Sequence, residues 1–273
     1  MSIPAKKSLQ GLLLAALLLL PIHPSAAPQA AAEVTAGSSP RSAIDPRALD
    51  ALRVAMKTLS EARSFTFRAD STYDILQPSG WMLQFTVTHE FSVRRPDRAH
   101  ALVLQDDGTK REVWYNGRYL AMHDAAENVY GTLDVPHSLD ETLDYLEERQ
   151  IVRLPVSDLL YSDLTFLETR ASDGIYVGES RIGGARCDHL AFGNDEVEWQ
   201  VWIDRGTKPL FRKFLITYKQ QPGKPQFATL LSRWNLSARL PDTLFLFTPP
   251  ASAERIEFLS LPAPTGRKTE GAK

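Results

Sequence analysis

The chain has one cysteine, Cys187, in 273 residues. A single thiol cannot close an internal disulfide, so no disulfide framework holds this fold. Cys187 is expected to be a small buried hydrophobe in a strand. Neither charge sign is in excess: 31 Lys and Arg stand against 33 Asp and Glu. That balance excludes the basic footprint of a nucleic-acid binder. The metal motifs H-E-x-x-H and C-x-x-C are missing. So are the G-x-S-x-G elbow and the Ser-x-x-Lys sets that activate serine nucleophiles. The apolar run from Gly11 to Leu20 is too short for a comfortable membrane span.

That run has another reading. Lys6 and Lys7 precede it, Pro21 breaks it, and Ser25-Ala26-Ala27 offers small residues for cleavage. These are the parts of a secretory signal peptide over residues 1–27, with a retained anchor as the alternative. A lipid anchor would need a Cys just after the apolar run, and none is there. The chain is therefore expected to be exported by a cleavable signal and not lipid-anchored. Residues 28–43 are mostly Ala, Ser, Gly and Pro and are expected to be a disordered leader. Residues 261–273 read as a disordered tail. What remains, 44–260, is long enough for one domain with a substantial core.

Asp45-Pro46 is a helix start, and Leu49, Leu52, Met56 and Leu59 follow at helical spacing. Strand signals come next. Trp81, Leu83, Phe85, Val87, His89, Phe91 and Val93 alternate with polar residues over a long run. Phe65–Ser71, Arg98–Gln105, Arg111–Tyr115 and Arg118–His123 read as neighbouring strands joined by short turns, Asn116-Gly117 among them. Val129 to Pro136 reads as a link that leaves the sheet. Ser138 and Glu141 form a capping box before a helix whose other face is acidic. Leu154 to Leu164 reads as a second short helix. Strands return at Gly174–Glu179, Arg186–Phe192, Glu196–Asp204, Leu210–Lys219, Phe227–Leu236 and Thr243–Phe247. A sheet this long curls. It can close into a barrel, split into a sandwich, or stay open. The helices favour a mainly β (α+β) fold, a curved open antiparallel sheet, or half-barrel, of about 10–11 strands. Helices would cover its concave face.

Chemistry is sparse. The six His are scattered, four of them in strands. His123-Asp124 and Asp188-His189 are adjacent in strands, so each pair splits across two faces and makes a poor metal site. Glu196 and Glu198 share a strand face that reads as solvated; acid–base work on a glycoside is the sharper alternative. No catalytic residue, metal ligand or cofactor is expected. The aromatic content says more. Trp81, Phe85, Trp114, Trp199, Trp202, Phe214 and Trp234 fall in strand-like segments and are candidates to line an apolar cavity. Solid core packing is an equal alternative.

The blocks "YGTLDVPHSLDETLDYL", "LPVSDLLY", "EVEWQVWIDRGTKPLFRKFLITYK", "GKPQFATLLSRWN" and "FTPPASAERIEF" follow one another. In this order they resemble a family of predicted periplasmic bacterial proteins of unknown function, over about Ile44 to Phe258. That family is similar in fold to the lipoprotein carriers LolA and LolB and to the lipid-binding proteins LppX and LprG. The resemblance implies a half-barrel with helices over its concave face. It also implies an apolar partner, a lipid, acyl chain or lipoprotein, and no catalytic residues. The alternative is an envelope interaction protein with a filled core. No nucleic acid, and no transmembrane segment after signal cleavage, is expected.

Overall fold

The computed structural model describes residues 43–149 and 155–257. The expected signal peptide, the leader up to residue 42 and the tail lie outside the described residues. Helix α1, Pro46–Ser60, opens where the sequence places it. The Asp45 carboxylate accepts the Arg47 backbone N–H at 2.9 Å, and Pro46 occupies the first turn. Ala48, Leu52, Ala55, Met56 and Leu59 form its buried stripe.

Two meanders follow. The first is β1 (Ser64–Leu76), β2 (Met82–Arg94), β3 (Arg98–Gln105), β4 (Lys110–Tyr115), β5 (Tyr119–Asp124) and β6 (Val129–Asp134). The second is β7 (Asp173–Ile182), β8 (Ala185–Gly193), β9 (Val197–Asp204), β10 (Phe211–Tyr218) and β11 (Gln226–Asn235). Strand β1 pairs with both β2 and β11, so the meanders fuse into one curved open sheet. With β12 (Glu254–Arg255), its order is β12-β6-β5-β4-β3-β2-β1-β11-β10-β9-β8-β7. Between the meanders the chain must travel from β6, near one edge, to β7 at the other. Helix α2 (Leu139–Glu148), a 3-10 turn (Pro155–Leu160) and α3 (Phe166–Thr169) belong to that crossing.

Ser138 caps α2, its Oγ accepting the Glu141 N–H at 3.2 Å. The acidic face of α2 is not merely solvated. Asp140 accepts the Ser162 N–H at 3.0 Å and Asp144 accepts the Tyr161 hydroxyl at 2.9 Å, so both hold the segment after the 3-10 turn.

Two expectations need correction. Val129–Asp134 does not leave the sheet: it pairs with β5 from Asp124↔Val129 to Tyr119↔Asp134. Its alternation, Val129, Gly131 and Leu133 against Tyr130 and Thr132, is masked by a Gly at an inward position. Thr243–Phe247 is not a strand. Asp242–Phe245 is a 3-10 turn after Pro241, and the Leu244 and Leu246 N–H groups donate back within it to the Pro241 and Thr243 carbonyls instead of to a ladder. Phe245 is fully buried beneath the Arg94 guanidinium, and Phe247 packs on Trp114 and Tyr130 at 4.8 and 5.3 Å between ring centres. This strap then adds β12 to β6 in parallel, so among the described residues the sheet has twelve strands and one parallel pair.

The core lies on one side of the sheet. Phe65, Phe67, Phe91, Leu190, Phe192, Trp199, Val201, Phe211 and Phe214 join Leu52, Met56 and Leu59 of α1 there. Leu120, with Val113 and Leu133, meets Leu146 of α2 on the same side. This is the inner face. Arg95 locks the helices to it. Its Nη1 donates to the Leu59 and Ala62 carbonyls at 2.9 and 2.8 Å, its Nη2 donates to the Tyr161 carbonyl, and the guanidinium lies over Phe65. Burial lowers its pKa to about 10, so it stays charged at neutral pH.

Candidate functional site

Strand parity and register decide which side chains meet. The seven candidate aromatics do not form one group. Trp199, Phe214 and Trp234 belong to the packed core. Trp199 stacks on Phe192 at 4.4 Å, and Trp234 stacks on Phe67 at 4.4 Å while its indole N–H donates to the Phe211 carbonyl at 2.9 Å. Trp234 reaches the inner face only because Arg233 adopts φ 54°, a bulge that shifts the β1–β11 register between Thr66 and Arg68. Trp114 and Trp202 lie on the outer face. Trp114 sits under Phe247, and Trp202 is sandwiched between His189 at 4.2 Å and the Lys213 ammonium at 4.6 Å. Phe85 is on the inner face, stacked with Tyr73 at 5.8 Å. Trp81 is not in a strand; it stands 72% exposed at the rim just before β2.

The space between α1 and the sheet is therefore filled with rings. A different part of the inner face has the character of a site: the stretch of β1–β6 away from Arg95, with Phe227 beside it. Register places Tyr73 between Phe85 and Phe227, and Ser71 beside Val87. The next row runs Ala69, His89, Val103, Arg111, Asp124 and Val129 across β1 to β6. Toward the β1–β2 turn the face grows more open. Val87 and Phe227 are buried, Tyr73 and Phe85 half-buried and Leu83 exposed, with Trp81 exposed at the rim just before β2. The result is an apolar ramp from solvent to a buried floor.

The floor carries five polar side chains: Ser71, Thr229, Arg111, Asp124 and His89. Ser71 donates to Thr229 across β1 and β11 at 2.9 Å. The Arg111 Nε donates to Asp124 Oδ2 at 2.7 Å, an ion pair with both partners under 10% exposed. Asp124 Oδ1 accepts the Ala126 and Glu127 N–H groups, each at 3.0 Å, and so fixes the β5–β6 turn. Among the described residues, Arg111 Nη1 and both ring nitrogens of His89 are buried without a hydrogen-bond partner. Burial pushes the His89 pKa down to about 4, so its ring is neutral at pH 7. Burial also raises the Tyr73 phenol, with the Asp106 and Asp107 charges adding to it. Arg111 and Asp124 are charges on an apolar-facing strand side. That is the signal, readable only once the register is known, that marks them.

A second recess, a groove of about 230 Å3, opens beside α1 among Ala51, Val54, Ile203, Arg205 and Pro209. It is below the roughly 300–1,000 Å3 of small-molecule pockets, and Asp188 and Asp204 line it too. Cys187 is buried in β8, and burial raises its pKa, which makes it a poor nucleophile. Among the described residues no group of three or more His, Cys, Asp or Glu side chains is placed to hold a metal ion. None of the described helices is long and apolar enough to cross a membrane.

Residues 48–259 match a protein family described as predicted periplasmic protein (DUF2092). The chain belongs to that family. This DUF2092 chain matches no curated protein. It is similar to solved structures at low identity. LppX of Mycobacterium tuberculosis is 15% identical, with 72% of this chain and 100% of that one covered and a TM-score of 0.45. MucB is 18% identical over 78% of this chain and 66% of its own, also with a TM-score of 0.45. A LolA superfamily protein from Nitrosomonas europaea is 10% identical over 73% and 97%, with a TM-score of 0.33.

Proposed function

We propose that this DUF2092 protein is a non-enzymatic periplasmic binding protein that holds an acyl chain of a lipid against the inner face of β1–β6. The observation that carries this reading is the apolar ramp, from exposed Trp81 and Leu83 through Phe85 and Tyr73 to buried Val87 and Phe227. An apolar strip that starts in solvent and ends at a buried floor is how a chain enters and is desolvated. At roughly 0.8 kcal/mol per buried methylene, eight methylenes contribute about 6 kcal/mol before ordering costs. The ligand lies beside the ring-filled core under α1 and leaves that core intact. Export by a cleaved signal peptide, without a lipid anchor, accounts for the compartment.

The test is native mass spectrometry of protein purified from its own envelope. A mass increment that disappears on organic extraction and matches a lipid in the extract supports the reading. An increment-free mass, together with no uptake of a fluorescent fatty acid, overturns it. The ring-filled space under α1, with Ile175 and Val177 about half exposed on edge strand β7, favours a second reading as a protein-interaction module. An increment-free mass with a co-purifying protein would favour it.

A further inference from the structure

The polar floor of the ramp has chemistry of its own. Asp124 is fully engaged by two backbone N–H groups and Arg111 Nε, and it balances the Arg111 charge. Arg111 Nη1 still has N–H groups with nowhere to donate, and so does the His89 ring. Ser71 already donates to Thr229. The row therefore holds surplus donors in a neutral setting. A buried donor left unpaired is costly, so these groups favour an occupant that brings acceptors. A carboxylate or phosphate would add an unbalanced charge to a buried site and meet a heavy desolvation penalty. An ester carbonyl accepts without charge. His89 and Arg111 are two strands apart, about 10 Å between backbones, and the long Arg111 side chain can span part of that gap.

Resting on the lipid reading above, we propose that His89 and Arg111 anchor the two ester carbonyls of a diacyl glycerolipid, whose chains run along Val87, Phe85 and Tyr73. The neutral state of His89 fits this role, because it leaves one ring N–H as donor and adds no charge.

The experiment is calorimetric titration of the protein with 1,2-dioctanoylglycerol and with its diether analogue, 1,2-di-O-octylglycerol, which lacks both carbonyls. The diester should bind about tenfold more tightly or better, the worth of one to two hydrogen bonds. His89→Phe keeps a ring against Phe91, and Arg111→Lys keeps a partner for Asp124. Each should bring the ratio of diester to diether affinity down toward one. Equal affinity of the wild-type protein for diester and diether overturns the anchor while the lipid reading stands. No binding of either overturns both. Because that comparison uses the unmutated protein, it holds even if a variant fails to fold.

Discussion

Replacing Arg95 with Met tests whether one side chain joins the helices to the sheet. The methionine stem keeps most of the packing over Phe65 and removes only the forked donors. Two well-formed bonds at 2.9 and 2.8 Å to Leu59 and Ala62, and a third to Tyr161, are lost. Hydrogen bonds to charged groups contribute about 1.5–3 kcal/mol each. Desolvating the guanidinium works against them, as its lowered pKa shows. A net loss of about 3 kcal/mol follows, or roughly 6–12 °C in Tm for a domain of this size. Arg53→Met is the comparison. Arg53 also ties α1 to α3, through Glu168, but its side chain is 52% exposed, and exposed pairs contribute about 0–1 kcal/mol. Urea unfolding followed by tryptophan fluorescence gives both values. If Arg95→Met costs under about 1 kcal/mol, no more than Arg53→Met, the staple is not what holds the helices down.

Other outcomes follow from single residues. His89 has its folded pKa depressed to about 4, so as pH falls below about 6.5 the unfolded chain takes a proton that the folded one refuses. Its contribution, on the order of 3 kcal/mol, is present above pH 6.5 and lost by about pH 4; His89→Phe should remove that part of the pH dependence of unfolding. Arg233→Gly should raise stability by about 0.5–1 kcal/mol, because φ 54° suits glycine, whereas Arg233→Val should lower it. Cys187 should resist a thiol reagent in the native protein and react fully in urea, since it is buried with a raised pKa.

How much of this was legible depends on the range of the interaction. The Asp45-Pro46 start of α1, the Ser138–Glu141 cap and the alternation of β2 are local signals, and the structure has all three. Strand β6 was hidden by Gly131, and the strap at Phe245 and Phe247 borrowed a strand's apolar pattern. The aromatic candidates divide for two reasons. Trp199 and Trp202 differ in parity and so face opposite sides, while Trp234 changes side at a bulge that its own sequence does not announce. The polar row is the least legible part. His89, Arg111 and Asp124 come from three strands and align only through the pairings His89↔Val103, Val103↔Arg111 and Arg111↔Asp124. Arg95 is equally silent, because its partners are 33 to 66 residues away.

One comparison tests directly whether a lipid chain lies on the inner face beyond the helices. Wild-type protein, Phe85→Asp and Trp114→Ala are purified from the same envelope, and the lipid-bound fraction of each is read by native mass spectrometry. Phe85 is half-buried on the ramp and Trp114 is on the outer face. A charge on the ramp should cut the bound fraction at least about tenfold, since a chain cannot displace its hydration cheaply, while Trp114→Ala should retain lipid at the wild-type level. Undiminished lipid in Phe85→Asp, or its loss in Trp114→Ala alone, would contradict the account.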